Sequence, residues 1–350
     1  MGRIATILFA HRLGTSLEPE CKMYRLAADF FNDAAMILDC LSPALPKVSR
    51  VILLSFSSVL RSLCGVAAGS SKASLSAHFA TQGNLGELNA KDSSQETIIS
   101  LLGMLAGSLV VSRIASTLAT WVSLIFLLSI HLATNYLAVR AVSMRTLNRQ
   151  RANIVFTTYL VRRGSNHSAP PSIKDCLPDP DEVSQLERIF ERDGVLRWNG
   201  MVVARCSIGV PFKDLLDILA APNSQTGSYK ESTVIVDDIL AFFDNEDYII
   251  WYDATREQFI IVLKASADTR AQLKSWLHVL LFWMKLEEGK MRRCKEPDRL
   301  LSCLSAIRKD IQDWWDEILP MMVEKGWDVE NGALETRSGT RIQVAGSKKN

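Results

Sequence analysis

Ionisable and amide side chains set inside apolar stretches are where this chain could do chemistry. Such groups are costly in a hydrocarbon setting and need an internal reason to be there. Asp29, Asn32 and Asp33 interrupt the run Leu26–Leu45. Asp29 and Asp33 stand four apart and share one helix face, which should point into a bundle rather than toward lipid. Arg61, His131 and Asn135 occupy similar positions in later apolar segments. These six residues are a candidate polar cavity for a small molecule. The competing reading is structural: Asp29 or Asp33 pairs with Arg61 and simply holds the helices together.

Familiar catalytic and cofactor patterns are absent. The sequence has no P-loop, G-x-G-x-x-G, H-E-x-x-H or G-x-S-x-G. His11, His78, His131, His167 and His278 are scattered, and no pair of carboxylates stands out for acid–base work. The seven cysteines form no C-x-x-C pair, so they read as free, buried small hydrophobes rather than a disulfide framework or a zinc site. Neither an enzyme, a metal centre nor a cofactor is expected. Basic residues gather at segment ends without interleaved aromatics, so no nucleic acid is expected as a partner.

What must position the six candidates is a membrane bundle. Residues 1–165 carry 16 Lys+Arg against 8 Asp+Glu, whereas residues 166–350 carry 24 against 30. A charge-poor basic part thus precedes a charge-rich acidic one, which excludes a uniformly soluble chain. Ile114–Val139 has no formal charge over 26 residues, and about 20 suffice to cross the bilayer core. Ile98–Ser112 is also uncharged, and Ser93 and Glu96 read as a capping box at its start. Val51–Gly69 is marginal, because Arg61 costs about 2.5–3.5 kcal/mol on insertion while each Leu or Ile returns about 0.3–0.6. With Leu26–Leu45, four crossings are expected. They would leave eight basic residues on one side (Lys22, Arg25, Lys72, Lys91, Arg140, Arg145, Arg149, Arg151) and three on the other (Lys47, Arg50, Arg113). That bias puts the bundle's termini on the cytosol-like side of a multi-pass protein. Gly65, Gly69, Gly103 and Gly107 form two G-x-x-x-G motifs, which predict close helix packing.

The rest reads as a small soluble α+β domain. Residues 164–180, with four prolines, read as a linker that also holds the sequon Asn166-His167-Ser168. The runs 248–252 and 259–263 predict a hairpin, followed by a buried helix that Ser266 caps. A second helix from Pro297 carries an apolar stripe of Leu300, Leu304, Ile307, Ile311, Trp314 and Ile318. The expected class is mostly α, a multi-helix transmembrane bundle over 1–163 and an α+β domain over 181–345.

Several motifs resemble the root UVB sensitive (RUS) family: Asp29-Phe-Phe-Asn-Asp33-Ala-Ala-Met36, Leu41-Ser-Pro43, Gly65-Val-Ala-Ala-Gly69, Ala90-Lys-Asp-Ser-Ser-Gln-Glu-Thr97, Asn135-Tyr-Leu-Ala-Val-Arg140 and Thr146-Leu-Asn-Arg149. The resemblance spans residues 1 to about 160 and, more loosely, the later part. It implies an integral membrane protein with no established biochemical activity and no catalytic residues to carry over. In plants it implies links to seedling development, UV-B response, auxin transport and vitamin B6 homeostasis, with members associating with one another. Gly2-Arg3-Ile4 resembles a point well inside the family's domain, so an N-terminally truncated member is expected and the myristoylation pattern at Gly2 is read as accidental. The expected function is a small-molecule transport or sensing component in a lipid bilayer. The alternative is a non-catalytic membrane-anchored scaffold that recruits proteins, other RUS members included, through its C-terminal domain.

Overall fold

The computed structural model describes residues 2–80, 83–164, 172–220, 232–253, 256–287, 297–332, 334–336 and 339–343. It divides into two compact units, Met1–Val142 and Ser143–Asn350.

The first unit is helical: α1 (Gly2–Leu13), α2 (Cys21–Leu41), α3 (Lys47–Phe79), α4 (Leu85–Val111) and α5 (Thr117–Ala141). Pro43 and Pro46 end α2 and start α3, since neither can continue a helix interior. The two then run antiparallel, with Ser57 Oγ donating to Ala35 O at 3.2 Å. At Gly2 a Cβ would overlap the Ser62 hydroxyl, so this glycine lets α1 lie close on α3. Lys72 bridges α3 to α4 through Asp92 and Glu96, at 2.7 and 2.8 Å. Lys22 Nζ donates to Val142 O at 2.8 Å, satisfying a carbonyl that the end of α5 leaves open.

Burial in this unit is inverted relative to a water-soluble bundle. Helix α3 buries only Ser57, Ala67 and Ser71, α5 only Leu128 and Val139, and α4 no residue at all. Its large side chains face outward instead, Leu118 and Val111 being more than two-thirds exposed. Helices α3, α4 and α5 are long and apolar enough to cross a membrane. Among the described residues three helices meet that standard rather than four: α2 carries Lys22, Arg25, Asp29, Asp33 and Asp39. The eight-to-three division of basic residues required four crossings and does not follow from three. Ser93 and Glu96 lie inside α4, which begins eight residues before Ser93, so they cap nothing. The four motif glycines face open space, with no atom within 4 Å of a Cβ placed on any of them. The reason on α3 is rotational: its buried stripe runs through Ala67 and Ser71, turning exposed Gly65 and Gly69 away.

The second unit contains α6 (Arg149–Gly164), α7 (Ile173–Cys176), α8 (Pro180–Leu186), β1 (Val195–Trp198), β2 (Met201–Ile208), α9 (Phe212–Leu219), α10 (Ser232–Phe242), β3 (Tyr248–Asp253), β4 (Gln258–Lys264), α11 (Thr269–Glu287), α12 (Pro297–Glu324) and β5 (Arg341–Ile342). The sheet order is β1-β2-β4-β3. The hairpin pairs Tyr248 with Leu263 and Asp253 with Gln258, while β2 runs parallel to β4. Beyond the end of β2, β5 takes up pairing with β4. Phe259–Leu263 is buried on both faces, which explains its unbroken apolar run. Helix α11 fills the core with Leu273, Trp276, Leu277, Leu280 and Leu281.

Four local expectations change here. Asp268, not Ser266, caps α11, accepting from Ala271 N at 2.8 Å; the Ser266 hydroxyl donates to Asp247 instead. Leu300, Leu304, Ile307, Ile311 and Ile318 of the α12 stripe are buried, but the buried tryptophan is Trp315, while half-buried Trp314 stacks under the Arg163 guanidinium, 4.8 Å from its carbon. Cys303 is disulfide-bonded, so not every thiol is free. Within the expected linker, Cys176 and Leu177 are buried, Asp179 caps α8, and Trp327 Nε1 donates to Pro178 O at 3.0 Å. Its remaining positions 165–171, the sequon among them, lie outside the described residues. Helix α6 belongs to this unit's core through Ala152, Val155, Phe156, Tyr159 and Leu160.

Candidate functional site

Helix α2 carries Arg25, Asp29 and Asp33 at four-residue spacing, so one face presents a cation and two carboxylates. Opposite Asp33 stands His131 of α5. Its Nδ1 hydrogen-bonds Oδ2 of Asp33 at 3.0 Å and lies equally close to Oδ1. The register follows from the antiparallel run: Lys22 meets Val142, and eleven residues further along α2, Asp33 meets the residue eleven before Val142. Asp33 is 3% exposed, while the imidazole reaches the unit's surface with 41% of its side chain. One turn from Asp33, Asp29 has a buried Oδ2 with no hydrogen-bond partner among the described residues. Its charged neighbours are Arg25, His131 and Asp33. Half-buried Cys64 of α3 sits in the same electrostatic neighbourhood.

An imidazole against a carboxylate offers both hydrogen-bond donor and acceptor groups to an incoming polar molecule. A buried carboxylate oxygen without a donor is costly unless a proton, a cation or a polar solute meets it. The arrangement can therefore take a polar group between α2 and α5. Among the described residues no three His, Cys, Asp or Glu side chains are grouped to hold a metal.

Not all six candidates gather here. Asp29, Asp33 and His131 do. Asn32 turns aside and donates to Met36 Sδ at 3.5 Å. Asn135 is half-buried one turn along α5 from His131. Arg61 pairs with Asp39, whose other oxygen accepts from Ser57 Oγ at 2.6 Å. The expected partnership of Arg61 with Asp29 or Asp33 is thus replaced by one nearer the α2–α3 turn. Arg25 escaped the sequence reading, although its place four residues before Asp29 put it on the same face.

Two cavities, of about 460 and 450 Å³, lie in the second unit; none of the six candidates lines either. The second holds Arg149, Arg205 and Arg256 against Asp193, Asp214 and Asp253, a balanced set in which Arg149 pairs with Asp193 and Arg256 with Asp253.

Residues 1–163 match the family described as the vitamin B6 photo-protection and homoeostasis domain. Over 193 residues the chain is 38% identical to RUS family member 1 of Dictyostelium discoideum, covering 54% of this chain and 34% of that protein. It is 28% identical over 337 residues to the protein root UVB sensitive 3 of Arabidopsis thaliana, covering 94% of this chain and 67% of the relative. Residues 1–163 carry the RUS family's domain. Root UVB sensitive 5 of the same plant is 23% identical over 343 residues, which is 96% of this chain and 60% of its own. The chain therefore spans about one third to two thirds of the length of these RUS relatives. No solved structure matches it. Asp29, Asp33 and His131 all lie within the RUS match, and so does nearly all of α6, which packs in the second unit.

Proposed function

We propose that this RUS-family chain is a multi-pass membrane protein whose first unit handles a small polar molecule, by transport or sensing, in vitamin B6 homeostasis and the UV-B response. Auxin is the second candidate cargo. The observation that carries the reading is the pairing of buried Asp33 with His131 beside the donor-less Asp29 oxygen, inside a unit whose outward surface is apolar. Three helices of spanning length support residence in a bilayer. The description of the matched family supplies the link to vitamin B6.

The test is flux of labelled pyridoxine, with auxin in parallel, into vesicles holding the purified full chain. Asp33→Asn and His131→Ala should each cut flux at least tenfold while protein yield and alkaline-wash resistance stay unchanged. Equal flux from Asp33→Asn and wild type would reduce the pair to a structural clasp, and release from the vesicles at alkaline pH would remove the membrane from the account.

A second reading, a non-catalytic scaffold, is favoured by one feature of the second unit. Phe190, Met201 and Val202 are more than half exposed around the β1–β2 hairpin, an apolar surface suited to another protein, including a second RUS member. Met201→Lys with Val202→Lys should then abolish co-purification of that partner without touching flux.

A further inference from the structure

Helix α6 turns Gln150, Asn153, Ile154, Thr157, Thr158 and Val161 onto one side, the spacing of a single helical face, and this side forms one wall of the 460 Å³ cavity. The facing wall is the segment from Leu186 to Gly200, including β1.

Two amides of α6 hold that wall. Gln150 donates to Arg188 O and accepts from Arg188 N, both at 2.9 Å. One turn on, Asn153 donates to Arg197 O at 2.9 Å and accepts from Arg197 N at 3.3 Å. Each amide thus satisfies both backbone groups of one residue, and the edge strand β1 is closed by a helix side chain. The Thr157 hydroxyl donates to Asn153 O at 2.6 Å. These polar groups are spent on structure, which leaves the cavity short of acceptors.

Donors remain. Arg162 pairs with Glu182, and Arg197 holds Glu191 at 2.6 and 3.1 Å. Arg188 is exposed and forms no ion pair among the described residues; its charge does reach Glu191, whose pKa burial raises but which Arg197, the Arg192 amide and Arg188 together bring below the usual range. Three guanidiniums against one carboxylate line the cavity, so one full positive charge is surplus after Arg162 is assigned to Glu182. The lining also includes four aliphatic side chains, Ile154, Val161, Leu186 and Val195. The volume falls in the range that small-molecule sites occupy, roughly 300–1,000 Å³.

We propose that this cavity binds a small amphipathic anion, with a phosphate or carboxylate at Arg188 and an apolar body against Ile154, Val161, Leu186 and Val195. A planar guanidinium fork suits either headgroup through paired charged hydrogen bonds. The same chemistry can come from a free aryl phosphate or from a single-chain lipid phosphate. The site is independent of the Asp33–His131 reading, because it lies wholly in the second unit and is read by binding rather than flux.

The test uses the full chain in neutral detergent, with phenyl phosphate, lysophosphatidate, inorganic phosphate and neutral phenol as probes in equilibrium dialysis. Phenyl phosphate or lysophosphatidate should bind saturably at one site, and phenol should not compete. Arg188→Ala should weaken binding about tenfold or more, the size of one charged hydrogen bond. The backbone of residue 188 stays clamped by Gln150, so this variant should keep its melting temperature. Val161→Trp, which fills the cavity from its aliphatic lining, should abolish binding. A preference for lysophosphatidate assigns the site to lipid-borne phosphate, and a preference for phenyl phosphate assigns it to a soluble metabolite. Saturation by neither probe, an unchanged Arg188→Ala, or inorganic phosphate binding as well as phenyl phosphate would overturn the proposal.

Discussion

His278 offers a quantitative check on the packing of the second unit. It is buried on α11, with Nδ1 3.3 Å from Tyr248 Oη and Nε2 lacking a hydrogen-bond partner among the described residues. Burial first, then the positive charges of Lys274 and Arg308, pulls its pKa down to about 3. An unfolded chain takes up the imidazole proton near pH 6.5, whereas the folded one does so only near 3. Stability from this group is therefore complete above about 6.5 and is lost as pH falls toward 3, at about 1.4 kcal/mol per unit. At pH 4.5 the loss is about 3 kcal/mol by that arithmetic. His278→Leu removes the titration while keeping a similar volume, and Tyr248 retains its hydrogen bond to Glu246. Urea unfolding of both chains in neutral detergent, followed by tryptophan emission, should give similar midpoints at pH 7.5. Wild type should then fall behind the variant progressively between pH 6 and 4.5. Parallel curves across that range would show the imidazole ionising freely in the folded chain, and the buried setting assigned to it would be wrong.

Three further outcomes follow from the same unit. Arg151 and Glu187 form a buried ion pair at 2.8 Å, so Arg151→Ala should cost about 3–5 kcal/mol in urea unfolding, while Arg151→Met with Glu187→Leu recovers most of it. Gly194 has φ of +70°, and a Cβ there would sit 2.8 Å from Cys206 O; Gly194→Ala should lower stability by about 1–3 kcal/mol with an unchanged denaturant slope. Leu277→Ala should cost about 2–5 kcal/mol, read as a lower melting temperature, because the side chain is fully buried.

Strong periodicity made much of the fold readable. The hairpin at 248–263 and the stripe of α12 announce themselves because alternation, unbroken apolar runs and three-four spacing each answer to one kind of burial. Local capping was less legible: Ser266 and Asp268 both can cap, and only the packed geometry selects Asp268. The glycine motifs illustrate the same limit, since a sequence shows small residues but not which side of a helix meets a neighbour. At the candidate site the four-residue spacing of Asp29 and Asp33 revealed a common face. The partner on α5 was named only as one option among several, because register between distant helices depends on contacts such as Lys22 with Val142. Arg61 was misassigned for that reason. The cavity beside α6 left no trace in the sequence, its walls being residues ordinary in type and forty positions apart.

Helix α6 lies almost wholly inside the matched family domain, yet its apolar side chains complete the interior of the following unit. Cutting the gene at the end of that domain would leave Phe156 and Tyr159 wet on one fragment and a hole in the other. Recombination at that point would therefore be punished in both products, which ties the inheritance of the two halves together. The boundary after Val142 instead keeps α6 on the same side as the core it completes.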